Sequence, residues 1–490
     1  MKLFRGLFLF LLVLPAGSSA AGPAKIFSDH MVLQCELPVP VWGRAAAGSE
    51  VVVEFAGQSV KTKTDDEGRW KILLEPLKAN AAGRDLVVQV AAERTVIRDV
   101  LVGEVWFAGG QSNMDYRVGG MARRLAEGRA LVKAAELPSI RFRKINESNS
   151  PTPQDDLKRG GGWVVCGPGT VSGFSAVAYV FAQRLHRELG VPVGVMDCSW
   201  GGTPIEPYIP IEAFKGHPTL ERLGELGKAG DIAGVRALAG GTYARSAAWL
   251  AGAIYNGRIA PVVPYAIRGA IWYQGESNAG RAKEYETIFP LLIQDWRKQW
   301  KRELPFYFVQ LANFRMPTSK PGQASSWAEL QNAQRLALRL PKTGMAVIND
   351  IGAARDIHPR NKKDVGERLA RWALANEYGS KDVVVSGPLY RDFKVDGSRV
   401  RISFEYAEGL KTCDGGEPGR FEIAGRDQVW HWGKASIDGE AVLVASEEVP
   451  EPVAVRYAWA SNPEGANLVN AAELPASLFR TDSWTLSTER

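Results

Sequence analysis

Short β-prone pieces open the chain. Between residues 24 and 98, stretches such as 39–42, 50–55, 70–74 and 86–90 are separated by clusters of Gly, Asp and Asn, a pattern that predicts an all-β region. After residue 100 the apolar runs lengthen and alternate with helical periodicity. After about residue 379 β-type pieces return, including 400–404, 428–432 and 453–459. The middle is therefore the α/β part. Five of its runs, 100–108, 191–198, 267–273, 306–311 and 345–348, are continuously apolar, as strands of a parallel sheet covered on both faces should be. Between them, 175–189 carries Ala178, Phe181, Leu185 and Leu189 on one helical face and stops at Gly190, while 285–300 repeats Ile288, Leu292 and Trp296. A five-stranded, doubly wound parallel sheet with flanking all-β regions is the expected fold. Its expected parts are an N-terminal β domain over 21–98, an α/β domain over 99–379 with a partly helical insertion at 211–252, and a C-terminal β region over 380–490.

The length of 490 residues agrees with several domains, since one hydrophobic core rarely serves so long a chain. Residues 1–20 have the form of a signal peptide: Lys2 and Arg5, an apolar run over 7–14, then Pro15 and the small residues Ser18, Ser19 and Ala20. A secreted or periplasmic protein is expected. No later apolar stretch reaches spanning length, so no membrane association is expected after signal removal. Without Lys2 and Arg5 the formal charge of +6 falls to +4, spread along the chain, which makes nucleic acid a poor partner. Cys35, Cys166, Cys198 and Cys413 lie far apart, and export permits up to two disulfides among them. Neither they nor the five histidines show metal-ligand spacing, and nothing in the pattern specifies an oligomer.

In an open parallel sheet, ligands bind beyond the carboxyl ends of the strands. The loops there are Gly109-Gly110-Gln111-Ser112-Asn113-Met114, Ser199-Trp200-Gly201-Gly202-Thr203, Gln274-Gly275-Glu276-Ser277-Asn278, a loop holding Asn313, and Asp356-Ile357-His358-Pro359. These are the parts of an acyl-transfer site. A serine hydroxyl needs a neighbouring base, and the base needs a third group that fixes its tautomer. Ser112 is the expected nucleophile and His358 the expected base. Asp356 and Glu276 compete for the orienting role, with Asp356 favoured because residues two apart in an extended loop project the same way. Expected oxyanion donors are the Ser112 and Gly202 backbone N–H groups and one side-chain amide among Gln274, Asn278 and Asn113.

Taken singly, each residue has an ordinary explanation: Ser112 as a helix cap, Asp356 in an Asx turn, Glu276 as a helix-start acid. Their convergence at the strand ends of one sheet favours catalysis. Cys198, a rival nucleophile, ends an apolar run and is expected to be buried. Trp200, Tyr208, Trp272 and Tyr273 flank the loops, and aromatic faces suit a sugar, although Trp272 and Tyr273 are expected in the core. Arg117 and Arg258 are candidate partners for an acidic sugar.

At these motifs the sequence resembles the SGNH-type hydrolases, and within them the sialate O-acetylesterase group related to acetylxylan esterases. The likeness begins with Ile-Phe-Ser-Asp-His-Met-Val-Leu-Gln at 26–34 and Val-Pro-Val-Trp-Gly at 39–43, and takes in Gly-Glu-Val-Trp at 103–106 and the Ser112, Gly202, Glu276 and His358 blocks. It ends with Lys-Lys-Asp-Val-Gly-Glu-Arg-Leu-Ala at 362–370 and Leu-Phe-Arg-Thr-Asp at 478–482. The resemblance implies a cofactor-free acetylesterase acting on an O-acetylated carbohydrate through an acetyl-enzyme on Ser112. The general SGNH pattern has an Asp three residues before the histidine and an Asn in the third block. Here Asp356 is two before and the third block reads Gln-Gly-Glu-Ser-Asn, so the orienting acid and the amide donor both stay open, and the acetylxylan-esterase relatives make Glu276 a serious contender for the acid. Two rival functions are a glycoside hydrolase using Glu276 and Asp356, and a non-catalytic carbohydrate-binding protein.

Overall fold

The computed structural model describes residues 21–146, 149–240 and 249–489. The expected signal peptide lies outside them, as do residues 241–248 of the expected insertion. Six strands form the parallel part of the sheet that carries the rim loops: β1 (Glu93–Gly110), β2 (Ile140–Lys144), β3 (Val193–Asp197), β4 (Gly269–Tyr273), β5 (Phe306–Val309) and β6 (Thr343–Ala346). Their order is β2-β3-β1-β4-β5-β6, each pair parallel. All five predicted runs contribute, but the sheet is not five-stranded. Ile140–Lys144 was not expected as a strand; it lies beside β3 and is edged by the antiparallel pair Val164–Val165.

The sheet is also larger and more mixed than a free-standing parallel layer. The first half of β1 pairs antiparallel with Asn80–Val90 and parallel with Val32–Gln34, and its second half enters the parallel order. One strand thus belongs to both the N-terminal β region and the α/β sheet, and the boundary expected at residues 98 and 99 falls inside it. The buried cores of these two regions merge into one cluster, whereas the C-terminal β region keeps another, built from Val400, Ile402, Phe421, Val442, Val455 and Phe479 among others.

Aromatic side chains on β1 show that both faces of the sheet are covered, because consecutive strand residues point opposite ways. Trp106 meets Phe181 of α2 (Ala176–Leu189) at 5.0 Å and Tyr307 of β5 at 5.8 Å, while Phe107 meets Trp296 of α3 (Ala282–Gln299) at 5.2 Å. Each such ring stabilises the fold by roughly 1.5–3 kcal/mol through burial alone. Helix α2 opens at Ser175, whose hydroxyl caps Ala178 N–H at 3.2 Å. It packs on α5 (Lys363–Tyr378), and α3 packs on α4 (Ser326–Leu336). Among the described residues between Pro210 and Gly252 are the short α-helices Pro218–Lys228 and Ile232–Ala239. No disulfide joins the cysteines among the described residues, and Cys198 is buried. No helix among the described residues is long and apolar enough to cross a membrane.

Candidate active site

Strand β1 delivers Ser112 through a tight turn. Gly110 has φ +134°, and a Cβ there would lie 2.2 Å from the Tyr273 carbonyl oxygen, so the turn can close only around glycine. Neighbouring strand ends grip it: Gln111 N–H donates to Tyr273 O at 3.0 Å, and Tyr208 OH and Trp200 N–H donate to Gly110 O at 2.6 and 3.0 Å. Ser112 then starts the one-turn helix α1 (Ser112–Asp115). The second loop comes close beside it, since a Cβ on Gly201 would stand 3.6 Å from Ser112 Cβ. Gly202 next to it adopts φ +76°, the left-handed region.

His358 arrives from the loop after β6, and its Nε2 lies 2.8 Å from Ser112 Oγ. Burial depresses the imidazole's proton affinity, Lys362 depresses it further, and Asp356 works in the opposite direction. Asp356 Oδ1 accepts the His358 backbone N–H at 2.9 Å and stands 3.8 Å from Nδ1, beyond hydrogen-bond reach. It serves the turn and faces the imidazole at the same time.

Glu276 sits differently. Its Oε1 accepts Asn113 Nδ2 at 2.5 Å, while Oε2 is sealed from solvent without a hydrogen-bond partner, and burial pushes the carboxyl up. Asn113 Nδ2 also donates to Ile357 O at 3.0 Å, and Asn113 Oδ1 accepts from the fully buried Lys362. The amide of Asn113 is thus spent on an internal junction of three loops. Gln274 and Asn278 turn inward as well: Gln274 Nε2 donates to Asn278 Oδ1 at 2.7 Å, and Asn278 Nδ2 donates to Glu206. None of the three expected amides points at Ser112.

Several of the expected flanking groups are structural. Tyr208, Trp272 and Tyr273 are buried in the core, and Arg258 lies 4.1 Å over the Trp200 ring while its Nε donates to Asn149. Asn313 Oδ1 accepts Gly352 N–H at 2.8 Å and its amide donates to Asn462, knitting the loop before His358 to the C-terminal region. Two lysines were not anticipated. Lys144, at the end of the unexpected strand β2, donates to Asp115 at 2.7 Å, Asp197 at 3.0 Å and Ser199 O at 2.8 Å, pinning the Ser112 segment to the second loop. Burial opposes its charge, but Asp197 and Asp115 hold the ammonium above its usual range. Lys362 lies behind the site. Lys144 left no signal in a segment whose arginines read as exposed, whereas Lys362 opens the 362–370 block of the family likeness without being marked there as a site residue.

Residues 102–375 match the family model described as carbohydrate esterase, sialic acid-specific acetylesterase. The chain belongs to this family. Consistent with that membership, it is 28% identical to the sialate O-acetylesterase of Mus musculus, with 93% of each chain covered. It is 29% identical to that of Homo sapiens, over 90% of this chain and 88% of the relative. A solved carbohydrate acetylesterase from Xanthomonas citri superposes with TM-score 0.83 at 37% identity, covering 94% of this chain and all of that one. The esterase is therefore a carboxylic ester hydrolase, and its rim loops fall inside the matched residues.

Proposed function

We propose that the protein is an exported serine esterase that removes O-acetyl groups from sugars, with an O-acetylated sialic acid as the first substrate to test. The observation that carries this reading is the 2.8 Å approach of His358 Nε2 to Ser112 Oγ, between residues 246 positions apart in the chain. With Nδ1 protonated and Nε2 free, the imidazole takes the Ser112 proton as Oγ attacks the acetyl carbonyl. The oxyanion is held by the Ser112 and Gly202 backbone N–H groups. The imidazolium, steadied by Asp356, gives its proton to the sugar oxygen as the ester C–O bond breaks, releasing the sugar hydroxyl and leaving an acetyl-serine. Water, deprotonated by the same nitrogen, attacks that ester; acetate leaves and the proton returns to Oγ. The depressed proton affinity of His358 keeps it neutral and ready at pH 7.

Glu276 is assigned a supporting place. Its contact is with Asn113, not with the imidazole, and that inward turn argues against the pairing with Asp356 that a glycosidase would need. Substrate is assigned from the relatives, whose names give sialate O-acetylesterase. A fluorophosphonate that labels Ser112 and abolishes acetate release tests the nucleophile, and Ser112→Ala should lower turnover by several orders of magnitude in a folded protein. Retained release in that variant removes Ser112 from its role. Acetate yields compared across O-acetylated sialic acid, acetylxylan and a small aryl acetate decide the sugar.

A further inference from the structure

Beneath the Ser112–His358 pair, Lys362 is fully buried at the start of α5, with its ammonium lying 5.3 Å from the Tyr116 ring and 5.4 Å from the Tyr273 ring. The ammonium donates a hydrogen bond to Asn113 Oδ1. The two rings attract the ammonium, but removing a lysine from water still costs more than burying an apolar residue of the same length, so a purely structural role explains it poorly. What the lysine does instead is impose a direction on Asn113. An amide presents oxygen and NH2 at nearly equal positions, and the donor at Lys362 Nζ fixes the oxygen on that side. The NH2 must then face Glu276 Oε1 and Ile357 O, the carbonyl directly before His358.

We propose that Lys362 is a positioning residue for the acyl-transfer pair: through Asn113 it tethers the Ile357–His358 backbone over Ser112, and its buried charge acts on the imidazole. The proposal rests on the assignment of Ser112 and His358 as nucleophile and base. The charged and titratable groups around the ammonium are Tyr116 after α1, Tyr273 at the end of β4, Glu276 from the third loop, and Asp356 and His358 from its own loop; Asp364 on the same helix is turned to Asn361. Burial pushes the ammonium down to about 7, with Glu276 and Asp356 opposing that fall, and the same burial pushes Glu276 up. The lysine's charge in turn opposes protonation of His358.

Two substitutions separate the tether from the charge. Lys362→Met removes both, and Lys362→Gln keeps a donor for Asn113 without the charge. With 4-nitrophenyl acetate, Lys362→Met should lose about 10- to 100-fold in kcat with KM within about twofold, as expected when a base is displaced rather than a binding contact removed. Its kcat/KM acid limb should move up by about half a pH unit or more, because a cation that opposes imidazole protonation has gone. Lys362→Gln should recover much of kcat and keep the upward shift. A folded Lys362→Met enzyme with wild-type kcat and an unmoved limb overturns the proposal. Should that variant not fold, an unmoved limb in Lys362→Gln overturns it equally. Failure of the parent assignment shows separately, as activity surviving Ser112→Ala.

Discussion

The role given to Asp356 can be tested without disturbing the loop it shapes. In Asp356→Asn the side-chain oxygen remains able to accept the His358 backbone N–H, which it now does at 2.9 Å, so the turn should persist while the charge disappears. What is lost is attraction between the carboxylate and the imidazolium that forms in the transition state, across a present separation of 3.8 Å. Coulomb's law at that distance gives about 1 kcal/mol in bulk water and about 4 kcal/mol at an effective dielectric near 20. Both side chains are about 40% exposed, at 39% and 40%, so solvent screens the pair and the lower part of the range applies. A loss of about 1–2 kcal/mol corresponds to roughly 5- to 30-fold in kcat/KM. Because Asp356 favours imidazole protonation, its neutralisation should also move the acid limb to lower pH. The assay is kcat/KM for an aryl acetate against pH, with thermal unfolding as the control for folding. Activity within twofold of wild type, or a larger loss in folded Glu276→Gln than in Asp356→Asn, would refute the assignment and pass the role to Glu276.

The acid limb of the wild-type enzyme should lie below the ordinary imidazole value of about 6.5, because burial and Lys362 lower the proton affinity of His358 and only its neutral form is a base; a limb above that value contradicts the electrostatics described. Gly110→Ala should destabilise the protein by about 3 kcal/mol or more and abolish activity, since its Cβ collides with Tyr273 O at 2.2 Å and its φ is +134°; an unchanged melting temperature would disprove the close-approach argument. Lys144→Met should cost roughly 3–5 kcal/mol by leaving the buried Asp197 without its ammonium, read by chemical denaturation, and a loss below about 1 kcal/mol would mean that water replaces the lysine.

Much of the fold was legible because a strand covered on both faces must be apolar throughout, and the runs ending at Ala108, Cys198, Tyr273, Leu311 and Ile348 satisfy that rule. Ile140–Lys144 does not. Arg141 and Arg143 are buried within it by local partners, Arg141 through Asp99 and the Pro138 carbonyl and Arg143 through Lys144 O, so its pattern imitates an exposed edge. The rim loops were legible from strand ends alone, which place a residue at the site without saying where its side chain turns. Ser112 and His358 meet, whereas Asn113, Gln274 and Asn278 bond inward because neighbouring loops offer Glu276, Ile357 O and Glu206 as partners. Lys362 is flanked by Asn361, Lys363 and Asp364, a stretch that reads as solvated helix start. Only the convergence of Tyr116, Tyr273 and Asn113 from distant parts of the chain takes it out of water.

The strand shared by the N-terminal β region and the parallel part of the sheet bears on how such enzymes can be recombined. A crossover between homologues at residue 98 would splice half a strand onto foreign neighbours, leaving Val100, Leu101 and Val102 at a mismatched, adhesive edge and shifting the lever that ends in the Ser112 turn. A join just after Gly379 would instead leave every sheet whole, because the strands from Leu389 onward pair among themselves.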